Sequence, residues 1–331
     1  MLEKQPEVNP DQQPENQPQK QSGSIHLGRV VGIDLFLHWS WFIVAIYEIQ
    51  SRSGRYSSVL WNVFEYLALF LIVLLHEFGH ALACRQVGGI ANRIMLWPLG
   101  GVAYVDPPPR PGATLWSIAA GPLVNVALLP VFATIYSFAT VHGWAYLAPN
   151  TYQLVWAVLT INKALLIFNL LPIYPLDGGQ ILRALLWFVL GRARSLMLVT
   201  VFSFAGVAAV IAFAVLKQSA WAFVIAIFML LNCWGGLKHA RAMLRAAKLP
   251  RRPGFACPSC GSGPPIGPFW ICQQCSNPFD TFQSGGVCPT CSARGAATQC
   301  IDCGRSAPIE QWVTGRPATS PPVIEGIPQR Q

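Results

Sequence analysis

Six stretches of this chain are almost wholly apolar, and polar segments divide them. About 20 apolar residues make a helix long enough to cross the hydrocarbon core of a bilayer. The pattern predicts spans over Val30–Ile49, Val59–Ala83, Thr114–Ala139, Tyr152–Ile173, Ser195–Leu216 and Ala220–Leu237. Only Lys217, Gln218 and Ser219 separate the last two, which reads as a tight antiparallel pair. Between Gly178 and Gly191 the shorter apolar piece ILRALLWFVL suits a helix lying at the interface. Residues Ile94–Val105, with Pro98 and the Gly100–Gly101 pair, read as short extended segments. The expected fold class is an α-helical polytopic membrane protein of about six transmembrane helices, with a small β-type loop after the second.

Composition excludes the soluble alternative. Of 331 residues, 53% are hydrophobic and only 11% are charged, against about 25% charged in soluble domains. Mean hydropathy is +0.42. The formal net charge of +9 has a clear pattern. Arg85, Arg93 and Arg110 follow the second predicted span, Arg183, Arg192 and Arg194 the fourth. Lys238, Arg241, Arg245, Lys248, Arg251 and Arg252 follow the sixth. The opposite loops hold Arg52, Arg55 and Lys217. Basic residues stay on the cytosolic side, and an even number of spans puts both termini there, in the cell membrane. Topology and anionic membrane lipid thus explain the positive charge, and no nucleic-acid partner is expected. Residues 1–27 read as a disordered tail rich in Gln, Pro, Glu and Asn, with too little to bury and no signal-peptide pattern. Residues 306–331 read as a second, Pro-rich tail.

The second span runs LALFLIVLLHEFGHALAC, so His76, Glu77 and His80 interrupt an apolar helix. Ionisable groups inside a span cost a few kcal/mol each and usually have a function. His76 and His80 are i and i+4 on one helical face, able to meet one ion, with Glu77 beside them. That is the HExxH arrangement, two neutral nitrogen ligands for zinc and a carboxylate that can take a proton from water.

A catalytic zinc needs a third protein ligand and an open position. The best candidate is Asp177 in FNLLPIYPLDGG, where Pro172 and Pro175 break the helix and Gly178–Gly179 let the chain turn. The alternative is an ordinary interfacial turn with a solvated aspartate. The third span supplies AAGPLVN, in which Gly121 permits close helix approach and Asn125 offers a buried amide. A packing notch with one interhelical hydrogen bond accounts for those residues equally well.

HEFGH, AGPLVN and FNLLPIYPLDGG, in order on three successive spans, resemble the site-2 protease family of intramembrane zinc metalloproteases. The likeness covers roughly Gly28 to Leu237. It implies His76, His80 and Asp177 as zinc ligands, Glu77 as general base, and Gly121, Asn125 and Asn169 as supporting residues. GRVVGIDLFLHWSW and RIMLWPLGGVAYV are similar to the branch related to sporulation-factor processing proteases, which lacks an inserted PDZ domain. Two features depart from that pattern. Gln180 stands where a basic residue is commoner, and cysteine pairs occupy the C-terminal region where relatives carry a nucleotide-binding module.

Eight of the ten cysteines form four CxxC pairs after Gly254. A cytosolic tail keeps thiols reduced, so these read as metal ligands. Cys257, Cys260, Cys272 and Cys275 are expected to hold one structural zinc. Cys288, Cys291, Cys300 and Cys303 are expected to hold a second. The expected cofactor content is three Zn²⁺ per chain, one catalytic and two structural. Cys84 and Cys233 sit at span ends as small packing residues. The expected domains are a metalloprotease domain over 28–252 and a double zinc ribbon over 253–305. With only Arg294 and Arg305 as cations, the ribbons suit a cytosolic protein partner or a cap over the cytosolic mouth.

Other intramembrane polar groups are weaker signals. Asp34 and His38, i and i+4, read as a local pair in the first span, and Lys163 either snorkels or meets Glu65. Two functions follow. The first is hydrolysis of peptide bonds in membrane-spanning substrate proteins, as in regulated intramembrane proteolysis. The second is a non-proteolytic membrane scaffold that recruits a partner through its ribbons. Glu77 favours the enzyme, because a structural metal site has no use for a carboxylate between its histidines.

Overall fold

The computed structural model describes residues 23–314, apart from residues 53, 98, 99 and 296. The first of two compact units takes in residues 112–171 and 176–181 together with the chain up to Pro107. It opens with β1 (Ser24–Val30), β2 (Ile33–His38) and a short helix α1 (Ser40–Ser51). A long helix α2 (Val59–Gln86) leads to β3 (Ile90–Trp97) and β4 (Gly100–Asp106). Next come α3 (Pro111–Val141), α4 (Trp144–Leu147), α5 (Pro149–Leu170) and the start of α6 (Asp177–Leu190). The strands form one sheet ordered β1-β2-β3-β4, with β2 and β3 parallel and the outer pairs antiparallel. Ile33, Leu35 and Leu37 of β2 and Ile94 and Leu96 of β3 pack on Val73, Ala81 and Cys84 of α2.

The first predicted span is not a helix crossing. Val30–Ile49 folds as the end of β1, a tight turn, β2 and most of α1. Val31 and Gly32, at φ 50° and 70°, make a two-residue hairpin turn. β2 lies between two other strands, and Ile33, Leu35, Phe36 and Leu37 are all buried. A strand covered on both faces loses its polar alternation and reads as one apolar run. Six residues of strand and 12 of helix rise about 20 Å and about 18 Å, so neither alone spans a bilayer core. Among the described residues five helices are long and apolar enough to do so: α2, α3, α5, α7 and α8. The even-number argument for the termini therefore loses its premise. The protein is a multi-pass integral membrane protein. Arg85 ties the hairpin to α2, donating to the carbonyls of Val31, Gly32 and Ala91 at 2.6–2.8 Å.

Two polar expectations change with this. On a strand, Asp34 and His38 stand about 13 Å apart. Asp34 pairs with His26 at 3.4 Å and Arg29 at 3.8 Å, while His38 bonds Ser40. Glu65 is buried against Arg52 and against Arg55 at 3.3 Å, and accepts from Tyr56 Oη at 2.5 Å. Lys163 is exposed on α5 and does not meet Glu65.

The second unit comprises residues 108–111, 172–175 and the chain from Leu182 onward. It contains α7 (Arg192–Lys217) and α8 (Ala220–Ala247), an antiparallel pair joined by Gln218 and Ser219, whose hydroxyl caps α8 at Ala222. Two small hairpins follow, β5 (Trp270–Ile271) with β6 (Pro278–Phe279) and β7 (Thr298–Gln299) with β8 (Ser306–Ala307). Ordered chain extends past both expected tail boundaries. β1 starts at Ser24, and beyond residue 305 the segment through Thr314 joins the cysteine-rich module. Trp312 explains the second extension, because it is buried against Phe282 at 4.9 Å between ring centroids. Residues 1–22 and 315–331, the remainder of the two expected tails, lie outside the described residues.

Candidate active site

α2 stays helical through HEFGH because nothing in it breaks the backbone ladder, and Ser58 caps its start at Leu60. His76, Glu77 and His80 are all buried. The Nε2 atoms of His76 and His80 are 3.1 Å apart. Oδ2 of Asp177, the first residue of α6, lies 3.0 Å from His76 Nε2 and 3.4 Å from His80 Nε2. Three atoms bound to one tetrahedral zinc at about 2.0–2.1 Å stand about 3.3 Å from one another, so the triangle fits that ion. Asp177 Oδ2 is buried and accepts no well-aligned hydrogen bond, which leaves its lone pairs for a cation.

The far side of each imidazole is fixed. His76 Nδ1 meets Asn125 Oδ1 at 2.6 Å, and His80 Nδ1 meets the Ser117 carbonyl at 2.9 Å. Both partners only accept, so each Nδ1 carries its hydrogen and each Nε2 is left with a lone pair. Asn125 is held in turn by Asn162, donating to its Oδ1 at 2.8 Å and accepting from its Nδ2 on the backbone carbonyl at 3.0 Å. Asn169, expected as a support, is half-buried in the last turn of α5, and the structure gives it no hydrogen bond to these groups. Asn162 holds the amide pair instead. Its signal in the sequence was an uncharged amide in the middle of a span, one position before the more conspicuous Lys163.

Two glycines make room for the cluster. A Cβ on Gly121 would lie 2.2 Å from His80 Nε2 and 2.8 Å from His76 Nε2. A Cβ on Gly101 would lie 2.3 Å from Glu77 Cγ. Close passage of β4 also lets the Ala103 N–H donate to Glu77 Oε2 at 2.8 Å. Ala103, Ser117 and Gly101 also touch the site, and their roles there leave no side-chain signal in the sequence, because they act through backbone groups and close approach.

The cysteines gather in two fours, but not the expected ones. Cys257 and Cys260 join Cys300 and Cys303, while Cys272 and Cys275 join Cys288 and Cys291. Within each set, sulfurs of the two joined pairs approach to 3.6–3.8 Å. Four thiolates around zinc at about 2.3 Å stand about 3.8 Å apart. Backbone N–H groups of Cys291 and Thr290 hold the Cys288 thiol down at about 6, favouring the thiolate that a metal needs. Cys257 and Cys300 also pack with Phe282, Ala307 and Trp312, so the module has a small apolar core beside its metal sets.

The pattern of peptidase family M50 matches residues 64–148 and 139–213. Residues 64–213 are thus similar to peptidase family M50. The M50 region holds His76, Glu77, His80, Gly121, Asn125 and Asp177. A zinc metalloprotease of Methanocaldococcus jannaschii is 36% identical over 163 residues, 49% of this chain and 45% of that protein. A putative zinc metalloprotease, Rip3, of Mycobacterium tuberculosis is 32% identical over 176 residues, 50% of this chain and 44% of its own length. Stage IV sporulation protein FB of Bacillus subtilis is 35% identical over 118 residues, 35% of this chain and 38% of that protein. The chain thus spans less than half the length of these relatives. Among solved structures, a site-2 protease from Methanocaldococcus jannaschii aligns with a TM-score of 0.48 at 27% identity, over 65% of this chain and 95% of that one.

Proposed function

We propose that this protein is an intramembrane zinc metalloprotease that hydrolyses peptide bonds of membrane-spanning substrate proteins. The observation that carries the reading is the triangle of His76 Nε2, His80 Nε2 and Asp177 Oδ2 with Glu77 beside it. Those three atoms would hold the ion. Zinc bound there supplies Lewis acidity toward a carbonyl oxygen and toward water. Glu77 takes the proton from the attacking water and delivers it to the leaving amine. Asn125 and the Ser117 carbonyl keep the imidazoles in the tautomer that can ligate.

A helical substrate shields its own peptide bonds and must unwind before attack. β4 is the edge of its sheet, and the outward N–H of Ala103 already points at Glu77. An unwound segment added along that edge would run past the carboxylate. The basic residues after α2, α5 and α8 support a cytosolic location in the cell membrane for the HExxH end of α2 and for the cysteine module. β1 and β2 pair with β3, which follows that same end of α2, and this supports a cytosolic N-terminus. We read residues 28–252 as the protease domain and the segment from 253 through Thr314 as a double zinc ribbon with two structural ions. The ribbon would contact a cytosolic protein or cap the site.

Co-expression with candidate single-span membrane proteins tests the activity. Wild type should release shortened fragments, and Glu77→Gln should not. Fragments of equal yield with both proteins would overturn the assignment.

A further inference from the structure

The junction of α6 with α7 and the C-terminal end of α8 gather several positively charged side chains. Arg183 on α6 and Arg192 at the start of α7 each have a buried Nε with no hydrogen-bond partner. Burial and the neighbouring Arg192 push the Arg183 guanidinium below its ordinary value, and His239 of α8 lies within electrostatic reach of both. Arg192 sits over the Trp187 ring at 5.6 Å and donates to the Asp302 carbonyl at 2.5 Å.

Beside them is a cavity of about 540 Å³. Arg192, Arg194 and Lys248 bring three cations to its lining, facing the Asp302 carboxylate and the Cys260 and Cys303 sulfurs of one four-cysteine set. The Asp302 carboxylate is already bound by Arg251 through two hydrogen bonds, 2.6 and 3.1 Å long. Among the described residues, Arg183, Arg194 and Lys248 form no ion pair. Arg192 is half-buried while Arg194 and Lys248 are exposed at the rim, and an anion placed among these three like charges offsets their mutual repulsion.

The cavity's location selects the anion. Arg192 begins one apolar helix and Lys248 directly follows another, both long enough to span the bilayer. Charged residues at such ends lie at headgroup level, and Trp favours the same depth. Leu190, Met243, Leu244 and Ala247 line the cavity as well, giving one wall an apolar character. A ligand matched to these walls has a phosphate at one end and hydrocarbon at the other. We propose that this cavity is a binding site for an anionic membrane phospholipid, whose headgroup phosphate is held by Arg192, Arg194 and Lys248.

The full-length protein, purified in a neutral detergent, provides the test, with lipid retention read by native mass spectrometry. The probes are phosphatidylglycerol, phosphatidylcholine and inorganic phosphate. Phosphatidylglycerol should be retained at least about tenfold more tightly than phosphatidylcholine. The double variant Arg194→Gln, Lys248→Gln leaves the Arg192–Asp302 contact in place. It should lose about tenfold or more of that affinity, with unchanged zinc content. The double variant Arg241→Gln, Arg245→Gln removes the same charge from α8 outside the cavity lining and should bind as wild type does. Equal losses in both variants would show diffuse attraction and overturn the site. So would equal retention of the two lipids. Inorganic phosphate that displaces phosphatidylglycerol at millimolar concentration, or binds with the same dependence on Arg194 and Lys248, would overturn the lipid as its ligand.

Discussion

Glu77 and Asp177 carry the same functional group near the same two imidazoles, and their neighbours prepare them for different work. Asp177 offers Oδ2 to both Nε2 atoms, whereas Glu77 accepts the Ala103 N–H outside that triangle. Asp177→Asn exchanges an anionic oxygen for a neutral amide, so zinc content and activity should fall together. Glu77→Gln leaves all three ligand atoms in place. Zinc should stay while turnover falls about 10²–10⁴-fold, the usual share of general acid–base catalysis. Elemental analysis beside cleavage rates checks both, and a Glu77→Gln protein that loses metal while Asp177→Asn keeps it would reverse the two roles. The glycines separate the same functions by packing. Gly121→Ala puts a methyl where His80 Nε2 lies and should abolish the site's zinc. Gly101→Ala puts its methyl against Glu77 rather than the three ligand atoms, so zinc should remain while kcat falls at least about 100-fold. At this scale the ligands were legible because ionisable groups stand out in an apolar run. Asn162 was not, since an uncharged amide costs little and could as well be an ordinary interhelical contact.

Elements were legible where period and length agreed. α2, α3, α5 and α7 appear near their expected limits, α8 starts as expected but runs past Leu237 to Ala247, and α6 occupies the short apolar piece between Gly178 and Gly191, beginning one residue earlier. The first span was misread because β2 is buried on both faces, and a hydropathy window cannot tell such a strand from a helix. The turn before it, with two positive φ angles, was the available clue. What holds that hairpin against α2 is Arg85, through the carbonyls of Val31 and Gly32, with a third bond to Ala91 of β3. Bonds from a charged donor contribute about 1.5–3 kcal/mol each and are not additive. Arg85→Gln should therefore cost about 2 kcal/mol or more and lower the melting temperature by several degrees. Activity should fall with it, since β3 and β4 continue the sheet that brings Ala103 to Glu77. An unchanged melting temperature would mean that the Leu35–Leu37 and Ile94–Leu96 packing alone secures the sheet.

Over the whole chain, four CxxC pairs can close two metal sites in more than one way, and their order does not decide between them. Joining neighbours keeps the loops short, at 11 and eight residues between the inner cysteines. The observed nesting closes 12 residues between Cys275 and Cys288 inside 39 between Cys260 and Cys300. Loop-closure entropy rises only about 0.6 kcal/mol per doubling, so the longer outer loop costs about 1 kcal/mol more. Burying Trp312 and Phe282 against Cys257 and Cys300 outweighs that, because full burial of one large apolar side chain contributes about 1.5–3 kcal/mol. Spacing alone points to metal ligands, and burial of the distant Trp312 favours the observed grouping. Removing whole pairs tests this. Full-length protein should hold three zinc ions, and the chain cut after Arg252 should hold one. Changing Cys257, Cys260, Cys300 and Cys303 to Ser empties one nested set and leaves the other complete, so two ions should remain. Changing Cys257, Cys260, Cys272 and Cys275 to Ser halves both sets, so only the ion at His76, His80 and Asp177 should remain. If neighbouring pairs shared an ion, the two quadruple variants would give the opposite counts.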